Sequence, residues 1–183
     1  MPRKMPARAS LTHLTGCERT FSDHELIVSK TDLKGHITYA NPLFVRLAGY
    51  PESQIIGAPH CLIRHPHMPA SVFKLLWDSI SAEKEIFAYV INRSANGDHY
   101  WVLAHVTPSY DERGKLDGYH SNRRVANPAV LKNTIIPLYS HLQKEEEPHT
   151  NAKDKCRVGL SLLQNILNEK KVSYEEFIFS LVR

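Results

Sequence analysis

Apolar positions along the chain change period several times, and each change marks an element. Leu26-Ile-Val-Ser29 and His36-Ile-Thr-Tyr-Ala40 flank Thr31-Asp-Leu-Lys-Gly35, a turn, which predicts an opening hairpin. Asn41-Pro42 then supplies a helix cap with proline at the first helical position. Leu43, Phe44, Leu47 and Ala48 recur at helical spacing before Gly49 ends the turn. A short helix follows from Pro51 to Ile56, closed by Gly57. Pro69 starts a longer one whose Val72, Phe73, Leu76, Trp77 and Ile80 form a single apolar stripe. Strand patterning returns for 86–93, 99–106 and 116–123, with turns at Asn96-Gly97 and Asp111-Glu-Arg-Gly114. Two strands, short helices, then three strands predict an α+β class domain: a five-stranded antiparallel sheet with short helices on one face.

Beyond this unit the pattern is helical and reads as an appendage. Asn127-Pro128 is a second cap, and Val130, Leu131, Ile135, Leu138, Tyr139 and Leu142 follow, with Pro137 expected to kink or break the helix. A polar, Glu-rich linker is expected through about Asp154. Val158, Leu162, Leu163, Ile166 and Leu167 then form an amphipathic stripe. Ser173-Tyr-Glu-Glu176 is a capping box, with Val172 and Phe177 placed as its hydrophobic staple. Helices this short are marginal alone, so their stripes must bury against each other, the sheet or a second protein. The chain therefore divides into an irregular or partly helical arm (1–22), the sheet-and-helix domain (23–126) and a helical segment (127–183).

Composition narrows the function. A chain of 183 residues, 42% hydrophobic, can bury one good core and carry an appendage. The net charge is +4, but Lys and Arg are scattered and Glu145-Glu146-Glu147 is acidic, which argues against a nucleic-acid stripe. Cys17, Cys61 and Cys156 are odd in number and lack metal spacing, so they read as unpaired thiols in a reducing compartment, Cys61 as a small buried apolar residue. No apolar run approaches the ~20 residues that span a bilayer, so a cytoplasmic protein without membrane contact is expected. The histidines show no structural zinc spacing, and no metal is expected. No nucleophile stands beside an activated base, which points to a ligand-holding module and not an enzyme.

Two segments carry the candidate chemistry: Arg64-His-Pro-His-Met-Pro69 and Asn92-Arg-Ser-Ala-Asn-Gly-Asp-His-Tyr-Trp101. Arg64 offers a fork of donors suited to a phosphate, and His65 can add another. Asn92 presents an amide from within a strand, with a donor and an acceptor for the edge of a heterocycle. Each candidate has a plain structural alternative. Arg64 can bridge to Asp78 or Glu83, His65 can serve a rigid turn, and His67 can face solvent. Trp77 can belong to the core, and Asn41 can simply cap its helix.

Thr31-Asp-Leu-Lys-Gly-His-Ile-Thr-Tyr-Ala-Asn41, Gly49-Tyr50, Gly57-Ala-Pro-His60, Ile63-Arg-His-Pro-His-Met-Pro69, Asn92-Arg93, Asn96-Gly-Asp-His-Tyr-Trp-Val102 and Gly118-Tyr119 strongly resemble the PAS sensory domain of bacterial aerotaxis receptors. The resemblance spans 23–126. It implies a PAS fold whose pocket, between sheet and helices, holds FAD, with the flavin's redox state as the signal. It matches Asn92 to the family's own asparagine and places Asn41 among residues needed for flavin retention, while the donors of Arg64 and His65 suit the cofactor's pyrophosphate. Asn92 also resembles an asparagine of the light-sensing flavin branch. His120, counted from Gly118, falls where that branch has a glutamine facing the reactive flavin nitrogen. An imidazole there can hydrogen-bond the flavin or ligate haem iron.

Departures are equally specific. His67 stands for the usual aspartate, Ile86 for a usual tryptophan, and Ala88 where glycine is common. His60 holds the light-sensing cysteine position, with Cys61 beside it, so thiol photoadduct chemistry is not expected. The resemblance implies a cytoplasmic signal-transduction sensor of the aerotaxis or chemotaxis type. With no output segment after the PAS domain, it would report redox state or oxygen to a signalling partner in trans or through a homodimer, with the helices from Asn127 as transmitter. Two alternatives stay open: a haem b gas sensor with His120 or a loop histidine as axial ligand, and a cofactor-free interaction adaptor, which Ile86 favours.

Overall fold

The computed structural model describes residues 14–182. Strands β1 (Ile27–Asp32) and β2 (Ile37–Ala40) precede α1 (Pro42–Ala48), α2 (Glu52–Ile55), a 3-10 turn over His60–Ile63 and α3 (Ala70–Ser81). Strands β3 (Ile86–Arg93), β4 (His99–Tyr110) and β5 (Leu116–Val125) complete one antiparallel sheet in the order β2-β1-β5-β4-β3. The expected α+β layer is present, and β4 runs four residues further than its alternation ended.

Local chemistry explains the corners. The Asn41 side-chain oxygen accepts from Phe44 N at 3.1 Å, capping α1, and from Val28 N at 3.1 Å, while its amide donates to Leu26 O at 2.8 Å. One side chain thus closes a helix end and ties it to β1. Gly35 takes a left-handed conformation, φ 79°, in the β1–β2 turn, and its bare Cα is also where the Trp77 ring rests. A Cβ there would stand 2.7 Å from the ring.

Because side chains alternate along a strand, the two faces of the sheet carry different loads. Ile27, Ile86, Ala88, Tyr100, Val102, Ala104, Val106 and Tyr119 meet α1–α3 in one core cluster. Tyr89, Ile91 and Trp101 point the other way and form a second cluster with the C-terminal helices. The sheet is therefore covered on both faces over β3 and β4.

Those helices are α4 (Pro128–Val130), α5 (Ile136–Glu146), α6 (Ala152–Lys170) and α7 (Tyr174–Leu181), with a π turn over Leu131–Ile135 between the first two. Pro137 breaks nothing. The π turn widens the backbone just ahead of it, with Ile136 N donating to Leu131 O, so the missing proline N–H falls where the bonding register is already shifted. Tyr139 on α5 donates its hydroxyl to Tyr89 O at 2.5 Å and lies 5.9 Å from the Trp101 ring. α6 packs along α3, and Phe179 of α7 sits 5.0 Å from Phe87, beside the edge strand β3.

The Glu-rich linker is shorter than expected. Glu145 and Glu146 belong to α5, and α6 already starts at Ala152, capped by Asn151. Ser173 and Glu176 form the expected capping box. Of the arm, 1–13 lies outside the described residues. Residues 15–19 add to the β3–β4 hairpin: Arg19 N donates to His99 O at 2.7 Å, and the Arg19 side chain pairs with Asp98 at 2.9 Å.

Candidate ligand cavity

Between α3 and the inner face of the sheet lies a cavity with about 60 Å³ of free space. Its α3 wall is apolar and aromatic: Phe73, Leu76, Trp77 and Ile80. Its sheet wall is polar in the middle, where Ser29, Asn92, Ser121 and Arg123 project from four positions on three strands. His60 and Arg64 close the loop side.

The polar wall is unfinished. Asn92 Nδ2, Ser121 Oγ and Arg123 Nη1 are buried and have no hydrogen-bond partner. Buried donors without acceptors are costly and rare, and three of them bordering one cavity make a surface built for acceptors that a ligand would bring. Arg123 Nη2 donates to Ser29 Oγ at 2.9 Å and to His60 Nε2 at 2.7 Å. A guanidinium only donates, so His60 must accept through Nε2 and carry its proton on Nδ1 as a neutral ring. Burial, and then the adjacent Arg123 charge, push the His60 pKa down to about 3, while burial lowers Arg123 to about 10.

Arg64 sits at the mouth. Its guanidinium lies 4.2 Å over the Phe73 ring and makes no salt bridge among the described residues, so the expected tie to Asp78 or Glu83 is absent. Burial lowers its pKa. Arg64 and Met68 also line a groove outside the cavity, together with His67, Lys144 and Lys155 and the carboxylates of Glu146 and Glu147.

Of the residues singled out from sequence, the structure brings Arg64, Asn92 and Trp77 to the cavity. Four stand elsewhere. Asn41 is fully engaged as cap and strand tie. His65 is buried but turned away: its Nδ1 accepts from His67 N at 3.0 Å, and it faces a second cleft with His99, Trp101 and Tyr139. Burial, then its histidine neighbours, lower its pKa to about 4. His67 lies exposed along the outer groove. His120 is a correction. It pairs with Lys30 and Thr107, and since Tyr119 and Ser121 line the cavity, alternation sends His120 to the opposite face.

The axial-ligand role proposed for His120 is thereby excluded, and the histidine that does line the cavity, His60, has its Nε2 engaged by Arg123. Cys61, expected buried, is exposed. Sequence reasoning missed His60, Ser121 and Arg123 as cavity residues. The signal for the last two was available, because strand alternation from Tyr119 places 119, 121 and 123 on one side.

A sheet of this order, its inner face closed by short helices around a polar-centred cavity, is matched in sequence by the family model described as PAS fold over residues 37–122. This unit is a PAS domain. The chain is 37% identical over 134 residues, 73% of its length, to the aerotaxis receptor of Escherichia coli, of which it spans 26%. The PAS domain of a protein from Colwellia psychrerythraea shares its fold, with a TM-score of 0.50 and 21% identity over 57% of this chain and 89% of that one. A light-oxygen-voltage domain whose mechanism was addressed with a flavin analogue does so with a TM-score of 0.50 and 19% identity, over 68% and 87% respectively. The PAS domain is thus related to that of a signal-transducing receptor. Among the described residues no helix is long and apolar enough to cross a membrane.

Proposed function

We propose that this PAS domain is a sensor that holds FAD noncovalently between α3 and the sheet and conveys redox state or oxygen to a signalling protein partner. The observation that carries this reading is the set of three orphaned donors, on Asn92, Ser121 and Arg123, facing an apolar aromatic wall. A flavin ring presents acceptors along one edge and apolar faces above and below. The donor set fits that group. Asn92, Ser121 and Arg123 would hold the polar edge, and Phe73, Leu76, Trp77 and Ile80 the faces. Arg64 at the mouth, with Lys144 and Lys155 in the groove beyond, would take the phosphates. When bound, the flavin supplies a redox couple whose charge differs between its states. The similarity to the aerotaxis receptor and the fold shared with a domain probed by a flavin analogue support the assignment.

The walls stand close. About 60 Å³ holds a few waters and not a three-ring system, so the ring is accommodated by movement of α3 away from the sheet. The same small volume favours a second reading, an interaction adaptor whose pocket is filled by its own side chains. Absorption spectroscopy of the freshly purified protein, and again after incubation with FAD, separates the two. The flavin reading expects paired bands in the near-ultraviolet and blue, and a loss of at least tenfold in FAD affinity for Asn92→Ala. Protein that stays colourless with excess FAD overturns it in favour of the adaptor.

A further inference from the structure

Arg123 is a buried cation without a counter-charge. It is 4% exposed, and no carboxylate pairs with it among the described residues. Its partners are a serine hydroxyl, a neutral imidazole and the Phe44 ring, 5.5 Å from the guanidinium carbon. None carries negative charge. His60 cannot become the missing anion, and Tyr100, whose hydroxyl feels the Arg123 charge, is held protonated by burial. Nη1 remains without a partner, and Arg123 lines the cavity together with Ser121 and Asn92, whose own donors are also unpartnered. A cation buried in this way carries a desolvation cost that its neutral partners offset only in part, and an anionic group at the cavity wall would offset the rest.

We propose that Arg123 is the counter-ion for a negatively charged edge of the ligand, so that the cavity binds the reduced, anionic flavin in preference to the oxidised, neutral one. This rests on the flavin reading above. Two electrons from dithionite and one proton from solvent would leave the bound ring with one negative charge, and reoxidation by dioxygen, which takes up the two electrons with the ring's proton and one from solvent to give hydrogen peroxide, would remove it. Each cycle therefore switches the Arg123 pair on and off. The paired state compensates the buried cation and the oxidised state leaves it bare. Arg123 thus sets the potential at which the sensor responds, while Asn92 and Ser121 supply hydrogen bonds that both states can use.

The test is a reductive titration with dithionite of the FAD-loaded full chain at pH 7.5, followed by its absorption spectrum against a reference dye. The expected result is reduced flavin bound at least tenfold more tightly than oxidised, a midpoint at least ~30 mV above that of free FAD for a two-electron couple. Arg123→Gln, which keeps a donor and removes the charge, is expected to abolish that preference, and Arg123→Lys to retain it. A wild-type midpoint at or below that of free FAD overturns the proposal without recourse to any variant and leaves flavin binding intact. An Arg123→Gln protein with wild-type circular dichroism and an unchanged midpoint does the same. Absence of any bound flavin overturns both this inference and the reading it rests on.

Discussion

Two histidines in this domain are kept neutral by their surroundings, for different reasons. His60 is buried and faces the Arg123 guanidinium, and His65 is buried among other histidines, which lowers their pKa values to about 3 and about 4. In the unfolded chain both would titrate near the ordinary ~6.5. Between about pH 6.5 and 4 the unfolded chain therefore binds more protons, so stability is complete above that window and falls as the pH falls through it. Each histidine should cost about 2 kcal/mol between pH 7 and pH 5. Urea unfolding of the wild type and of a His60→Gln/His65→Gln variant at the two pH values checks this: the variant's profile should be flatter, and parallel profiles would refute it. The residue scale is also where the sequence misled. Polar side chains occupy both faces of β5, His120, Asn122 and Arg124 on one and Ser121 and Arg123 on the other, so composition gives no hint of which side looks inward. Counting from Gly118 chose the wrong parity. Asn92 was legible because the six residues of β3 before it, Ile86 to Ile91, are apolar or aromatic, and an amide following them stands out.

At the scale of elements, the end of α3 depends on a residue some seventy-five positions away. Pro69 offers no side-chain cap, and the exposed N–H groups of the first turn are taken by Glu146 from α5. Its carboxylate accepts from Ala70 N at 2.7 Å, Ser71 N at 2.9 Å and Ser71 Oγ at 2.6 Å. A negative charge at a helix N-terminus is favourable on its own, and here the group is buried. Gly159 of α6 completes the junction, since a Cβ there would come within 2.5 Å of the carboxylate and 2.7 Å of Ser71 Cβ. Glu146→Ala should destabilise the fold by about 3 kcal/mol through loss of charge-assisted bonds that leaves buried donors bare, with Glu146→Gln intermediate. Calorimetry or urea titration reads the order, and an alanine variant as stable as wild type would show that water replaces the carboxylate. Nothing local announces this contact. A run of three glutamates looks like a solvated linker, and only the tertiary arrangement singles out the middle one. The caps at Asn41, Asn127 and Ser173 were legible because their partners lie two or three residues away.

Across the whole molecule, the junction at Glu146 makes the cavity and the C-terminal helices one mechanical unit. α3 carries Phe73 and Trp77 into the cavity on one side and meets α6 on the other, and its N-terminus is held by α5. Leu75, Val90 and Tyr174 pack against both core clusters, so neither layer shifts without the other. An occupant larger than the present 60 Å³ must push α3 outward, and the displacement has a direct route to α5 and α6. Ligand binding biases two arrangements only to the extent that it favours one of them, and under the flavin reading proposed above the favoured one would have α3 withdrawn from the sheet. Hydrogen exchange of the full chain with and without FAD makes this quantitative. Amides of α3 and of 136–170 should change protection together in the wild type. In Glu146→Ala the change should persist in α3 and fall by at least half in α5 and α6, because the charged tie between them is gone. If α5 and α6 respond as strongly in that variant, coupling runs through the apolar contacts of Leu75 and Tyr174. If they do not respond even in the wild type, the C-terminal helices are not the transmitter, and the signal leaves through the sheet.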